Sequence, residues 1–174
     1  MKSISTVILA AGKSTRFKHN KSKIFQDLAG LSIIEHVYEI AKKISNENII
    51  FVCNENNNNQ LKNLFPKAKF VIQKQQKGTA HAIFQAKKYL VDSDVLTLFG
   101  DVPLISLKSI KKLILNFKKN HSIGSMIAFK TENPFGYGRV ITQGKFISSI
   151  VEELNASRIQ KNIKLCNSGV MLCD

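Results

Sequence analysis

Ile4-Ser5-Thr6-Val7-Ile8-Leu9-Ala10-Ala11-Gly12-Lys13-Ser14-Thr15-Arg16 sets the reading of the chain. Residues 4–10 form a compact apolar run, suited to a buried strand, and the run breaks into a glycine with cations behind it. Residues 13–23 read as a polar, basic loop. From Ser32 the apolar residues Ile33, Ile34, Val37, Ile40, Ala41 and Ile44 recur at three-four spacing, which predicts a helix. Residues 48–53 read as a second strand. Residues 56–65 read as a helix whose asparagine run supplies the cap. Residues 69–72 make a third strand, 78–90 a helix, and 94–99 a buried strand. Ser106 caps a helix with the stripe Leu107, Ile110, Leu113, Ile114 and Phe117. Residues 123–130 make another strand. Residues 138–142 and 145–151 flank Gln143-Gly144 and predict a hairpin, and a last strand starts at Val170. Strand-helix alternation implies right-handed βαβ units and a Rossmann-like, three-layer α/β/α fold. Its sheet is expected to be mainly parallel, with an antiparallel addition from the hairpin. In such sheets ligands bind beyond the carboxyl ends of the strands.

The chain has 174 residues, 44% of them apolar. That suits a globular domain with a real core and excludes a disordered chain. No run approaches the ~20 apolar residues of a spanning helix, and no signal peptide is read. Twenty-six Lys and Arg against 12 Asp and Glu give a net charge of +14. Such a charge favours anionic partners: nucleic acid, acidic membrane or phosphorylated small molecules. The lysines are scattered, there is no Trp, and no aromatic-basic strip appears, so nucleic acid and membrane are not expected partners. Cys53, Cys166 and Cys173 lack CxxC spacing and read as small core residues in a reducing compartment. The four histidines have no metal-ligand spacing.

Three segments should meet at the carboxyl end of the sheet. In the first, Leu9 to Gly12, successive backbone N–H groups could cradle phosphate oxygens, with Lys13 and Arg16 adding charge. A surface loop with two cations is the alternative. A Walker A loop is excluded because Val7 stands where its first glycine belongs, and a dinucleotide fingerprint because only Gly12 is present. The second, Gln73 to Ala82, joins a strand to a helix N-terminus, and glutamine offers a base edge both a donor and an acceptor. Alone it is also an ordinary helix start. The third, Phe99-Gly100-Asp101-Val102-Pro103-Leu104, puts a carboxylate at a strand tip, where it could ligate Mg²⁺ on a polyphosphate or simply make a turn.

Taken in order, Leu9-Ala10-Ala11-Gly12-x-x-Thr15-Arg16, Lys23, Gln73-x4-Gly78-Thr79-Ala80-His81 and Gly100-Asp101-Val102-Pro103-Leu104 resemble the nucleotide half of the sugar-phosphate nucleotidyltransferases. Three later segments narrow the resemblance to the UDP-N-acetylglucosamine pyrophosphorylase domain of GlmU-type enzymes. They are Asn133-Pro134-Phe135-Gly136-Tyr137-Gly138-Arg139, Ile150-Val151-Glu152-Glu153 and Cys166-Asn167-Ser168-Gly169. The resemblance runs from Ser5 to the last residue and implies that 1–174 is a nucleotidyltransferase (MobA-like NTP transferase) domain.

The resemblance also implies roles. Leu9, Ala10, Ala11 and Gly12 hold the nucleotide, with Gln73, Gly78 and Thr79 on the uracil side and Gly100 beside them. Arg16 and Lys23 neutralise the phosphates, and Asp101 holds Mg²⁺; these three are the catalytic set. Gly138, Glu152 and Asn167 hold the amino sugar. The implied reaction is uridylyl transfer from UTP to N-acetylglucosamine-1-phosphate for cell-envelope precursors, in the cytoplasm. Another sugar-phosphate nucleotidyltransferase, or a binding-only remnant of one, is the alternative. Ser22 stands before Lys23 where the family often has Pro, Phe99 stands where Tyr is usual, and Asn155 where Asp is common. The domain is expected to be C-terminally incomplete. It would lack the family's second Mg²⁺ ligand, its β-helix acetyltransferase domain and any oligomer contacts made by those parts.

Overall fold

The computed structural model describes residues 2–12 and 22–174. Residues 1 and 13–21 lie outside that description, and with them Arg16 and most of the basic loop expected over 13–23. The chain divides into two compact units, Met1–Ser125 with Met171–Asp174, and Met126–Val170.

The first unit is built on β1 (Ser3–Leu9), which pairs in parallel with β4 (Ile49–Cys53) on one side and β6 (Ser93–Phe99) on the other. A third parallel strand, β5 (Lys69–Ile72), lies outside β4. Side chains alternate along a strand, so β1 sends Thr6 and Ile8 to one face and Val7 and Leu9 to the other. Helix α1 (Ile33–Ser45) covers the first face, where the Thr6 and Ser45 hydroxyls share a buried 2.6 Å hydrogen bond. Phe51, in register with Ile8, stacks there on Phe65 and Phe70. Helix α3 (Thr79–Gln85) covers the other face, where Ala82 and Ala86 pack with Val7, Ile50 and Val52. Helices on both faces give the three layers expected from the alternation. Helix α2 (Glu55–Leu64) follows β4, and α4 (Leu107–Lys119) opens on Ser106, whose hydroxyl accepts from the Ser109 N–H. Cys53 is fully buried, and burial pushes its thiol up to about 11, as befits an inert core residue.

The second unit holds most of β7 (Gly124–Lys130), the β8 (Arg139–Gln143) and β9 (Phe146–Val151) hairpin, and the start of β10 (Leu165–Cys173). The hairpin is antiparallel, with Arg139 opposite Val151. In the first unit the end of β10 pairs antiparallel with β6, Met171 opposite Thr97.

Three features differ from the sequence reading. The helix expected over 78–90 ends at Gln85, and a one-turn 3₁₀ helix, Lys87–Tyr89, follows it. The Ala86 N–H is shared between the carbonyls of Ile83 and Phe84, a tightening that closes α3. The last strand begins at Leu165, five residues before Val170. Asn167, Ser168 and Gly169, the last at φ +81°, hide the strand from a pattern reading, yet Cys166 pairs with Arg139. A small hairpin, β2 (Asp27–Leu28) and β3 (Leu31–Ser32), was not expected. Its turn needs two positive φ angles and takes them at Ala29 (+54°) and Gly30 (+88°), without the asparagine that usually signals such a turn.

Candidate active site

The carboxyl ends of β1, β5 and β6 carry the three loops singled out in the sequence. The β1 loop is anchored from several sides. The Ala10 N–H donates to the Val52 carbonyl at 2.8 Å, and the Gly100 N–H donates to the Leu9 carbonyl at 2.9 Å. Ala10 and Ala11 are buried, and the loop reaches the surface at Gly12. Gly100 is a glycine for close approach. A Cβ there would stand 2.7 Å from Ile34 Cδ1 and 3.1 Å from the Leu9 carbonyl oxygen, so any larger residue presses on the loop that it supports.

Lys23 and Asp101, 78 residues apart, meet here. The Lys23 ammonium donates to Asp101 Oδ2 at 3.3 Å, from the one-turn 3₁₀ helix Lys23–Phe25. Both side chains are 43% exposed, so a substrate can reach them. Among the described residues no three His, Cys, Asp or Glu converge as a ready metal cage. Asp101 offers a hard carboxylate oxygen, and that suits Mg²⁺, which is commonly held by one or two carboxylates with phosphates and waters. Arg16 lies outside the described residues.

The β5 loop is split in character. Gln73 is buried, its amide 3.0 Å from His81 Nδ1. His81 lies in turn 3.3 Å from the Gln85 amide, so an α3 residue holds Gln73 in place. Gly78, at φ +96°, and Thr79 are exposed at the start of α3.

In the second unit, Gly138, Glu152 and Asn167 are brought together. The Asn167 N–H donates to the Gly138 carbonyl at 2.8 Å, and Asn167 Oδ1 accepts from the Gly169 N–H at 2.7 Å. The Glu152 carboxylate lies over Gly138. A Cβ on Gly138 would be 3.0 Å from Glu152 Oε1 and 3.2 Å from its Cδ, so glycine here makes room for that carboxylate.

Sequence reasoning missed the supports. Arg139 is 1% exposed and pairs with Glu153 at 2.7 Å. It also donates to the carbonyls of Tyr137 and Lys161, while its Nε has no partner among the described residues. The Arg139 hydrogen bond, aided by the Gly136 N–H, holds the Glu153 carboxyl below its ordinary value. Arg139 and Glu153 adjoin Gly138 and Glu152 in sequence, and that adjacency was the available signal. Asn54, Asn57 and Gln76 were missed as well. Their amide nitrogens donate to the Ala11, Ala10 and Ala11 carbonyls at 3.2, 2.7 and 2.5 Å.

The mainly parallel sheet with helices on both faces is that of a nucleotidyltransferase domain. The chain belongs to the MobA-like NTP transferase domain family, whose profile matches residues 6–161. Among curated relatives, it is 43% identical over 171 residues to the bifunctional protein GlmU of Buchnera aphidicola subsp. Acyrthosiphon pisum (strain APS), covering 97% of this chain and 37% of that protein. It is 41% identical over 175 residues to the bifunctional protein GlmU of Francisella tularensis subsp. novicida, covering 96% of this chain and 37% of that protein. The chain thus spans little more than a third of the length of these relatives. A Bacillus anthracis structure described as a glucose-1-phosphate thymidylyltransferase, solved with sucrose, shares the fold. Its TM-score is 0.77 at 15% identity, over 99% of this chain and 72% of that one.

Proposed function

We propose that this domain transfers UMP from UTP to N-acetylglucosamine-1-phosphate, releasing pyrophosphate and forming UDP-N-acetylglucosamine. The observation that carries the reading is the closing-up of Gly138, Glu152 and Asn167, three residues to which the family resemblance gives the amino sugar and which are separated by up to 29 positions. The Lys23–Asp101 contact supports the nucleotide half in the same way. The identity to GlmU proteins, at 41–43%, adds to both.

In this mechanism an oxygen of the sugar phosphate attacks the α-phosphorus of UTP. A new P–O bond forms, the α–β bridging bond breaks, and its electrons leave with pyrophosphate. The attacking oxygen is already anionic, so the chain needs no general base. Its work is alignment and charge stabilisation. Backbone N–H groups of the β1 loop face the phosphates, and Lys23 and Arg16 offset their charge. Asp101 would hold Mg²⁺, which supplies further neutralisation of the triphosphate when bound. Glu152 and Asn167 accept and donate to the sugar's hydroxyls and acetamide surroundings. A cytoplasmic setting and a role in envelope precursor supply go with this reading.

The test is pyrophosphate release with UTP, CTP, dTTP and GTP, each paired with glucose-1-phosphate, glucosamine-1-phosphate and N-acetylglucosamine-1-phosphate. UTP with the N-acetylated sugar is expected to give the highest kcat/KM. Equal or better turnover with dTTP or GTP overturns the assignment in favour of another nucleotidyl transfer.

A further inference from the structure

Asn54 and Asn57 do two things with one pair of amides. Their oxygens close the start of α2. Asn54 Oδ1 accepts from the Asn57 N–H and Asn57 Oδ1 accepts from the Asn54 N–H, both at 3.0 Å. A reciprocal cap of this kind is served equally well by Ser, Thr or Asp at the first position, and by Glu or Gln at the second. What those alternatives do not supply in the same place is the pair of Nδ2 groups. Here those nitrogens cross 43 and 47 residues of chain to reach two consecutive carbonyls of the β1 loop, Ala11 at 3.2 Å and Ala10 at 2.7 Å. Asn57 is 4% exposed, so its bond is shielded from water.

A trans peptide is planar, and its N–H points opposite to its C=O. Fixing the Ala10 and Ala11 carbonyls toward α2 therefore fixes the Ala11 and Gly12 N–H groups away from it. Gly12 is exposed. A Cβ there would meet nothing within 4 Å among the described residues. The Gln76 amide reinforces the Ala11 carbonyl from the β5 loop.

We infer that Asn54 and Asn57 are positioning residues for nucleotide binding, whose amide nitrogens aim the Ala11 and Gly12 N–H groups at the phosphates. This rests on the proposed reading of the β1 loop as the nucleotide loop. The cap holds the helix and the same side chains hold the loop, so α2 sets the orientation of a site to which it contributes no ligand.

The experiment compares the whole chain with Asn54→Ser, Asn54→Asp and Asn57→Asp, by thermal unfolding and by KM for each substrate. Serine and aspartate keep the cap at position 54 and lose the donor to Ala11. Serine does so without adding charge. Asn57→Asp keeps the cap oxygen and places a carboxylate against the Ala10 carbonyl. Both Asn54 variants are expected to unfold within a few degrees of the wild type. KM for UTP is expected to rise about tenfold or more in all three, with KM for the sugar phosphate within about twofold. Unchanged KM for UTP in Asn54→Ser overturns the inference, as does an equal rise for both substrates. Should Asn57→Asp fail to fold, the Asn54 pair decides alone. If the wild type prefers another nucleotide, the uridylyl reading falls, and the same comparison with that nucleotide still judges the two asparagines. A wild type that binds neither a nucleoside triphosphate nor pyrophosphate by calorimetry refutes both.

Discussion

Gly138→Ala separates folding from sugar recognition more cleanly than removing a ligand would. Gly138 lies outside the left-handed region, so alanine fits its backbone. Replacing a glycine at a compatible position lowers the freedom of the unfolded chain and stabilises by about 0.4–1 kcal/mol. The three atoms nearest the added Cβ all belong to the Glu152 carboxylate, with Oε1 at 3.0 Å and Oε2 at 3.2 Å. Both distances are shorter than ordinary carbon–oxygen contact, and the carboxylate is the mobile partner. It swings aside, and the hydrogen bond to the sugar proposed for it is lost. A charged hydrogen bond is worth about 1.5–3 kcal/mol net, which is a rise of roughly ten- to a hundredfold in KM for N-acetylglucosamine-1-phosphate. KM for UTP stays within about twofold of the wild type. The assay is steady-state pyrophosphate release with each substrate varied, beside a thermal melt. Glu152→Ala should match the effect, and adding Gly138→Ala to it should change little more, because the two act through one carboxylate. An unchanged sugar KM, or a full additional loss in the double variant, refutes the reasoning. So does a fall in Tm of several degrees, which would make Gly138 a folding residue.

Asp101→Asn is expected to cut Mg²⁺-dependent kcat/KM about a hundredfold or more while leaving the melt unchanged, because a half-exposed ion pair contributes little to stability; full activity in that variant removes Asp101 from the metal site. Arg139→Met should lower Tm by several degrees and raise the sugar KM, because one guanidinium holds Tyr137, Glu153 and Lys161 around Gly138; an unchanged melt would show the clamp to be idle. Glu35 and Glu153 both titrate below the ordinary carboxylate value, Glu35 through its bonds from Ser32 and Glu153 through Arg139. The stability they confer is present above that ordinary value and is lost as pH falls through their lowered ones. Urea unfolding between pH 3 and 7 should show that loss, and Glu153→Gln should flatten part of it.

What the sequence determined by itself was periodic and local. The apolar run before Ala10 read as a buried strand, and the three-four spacing after Ser32 gave α1 to within a residue at each end. Gln143-Gly144 gave the β8–β9 hairpin. Parallel order then followed from alternation, and with it the placing of three loops at one end of the sheet. These signals survive in sequence because burial of one face imposes a period on the chain. Only the tertiary structure decided which distant groups meet. Nothing in the spacing of Asn54 and Asn57 says that amides already used in a cap also hold Ala10 and Ala11. Glu153 does not name Arg139 as its partner, and Gly138 does not announce that a carboxylate fills its missing side chain. The strand from Leu165 to Gly169 shows the same limit. Asn167, Ser168 and Gly169, the last at a positive φ, interrupt its apolar pattern, and it is a strand because its neighbours pair with it. Hydrogen-bond partners and close approaches are fixed by where the packed elements bring their ends, and no local pattern in the chain records that geometry.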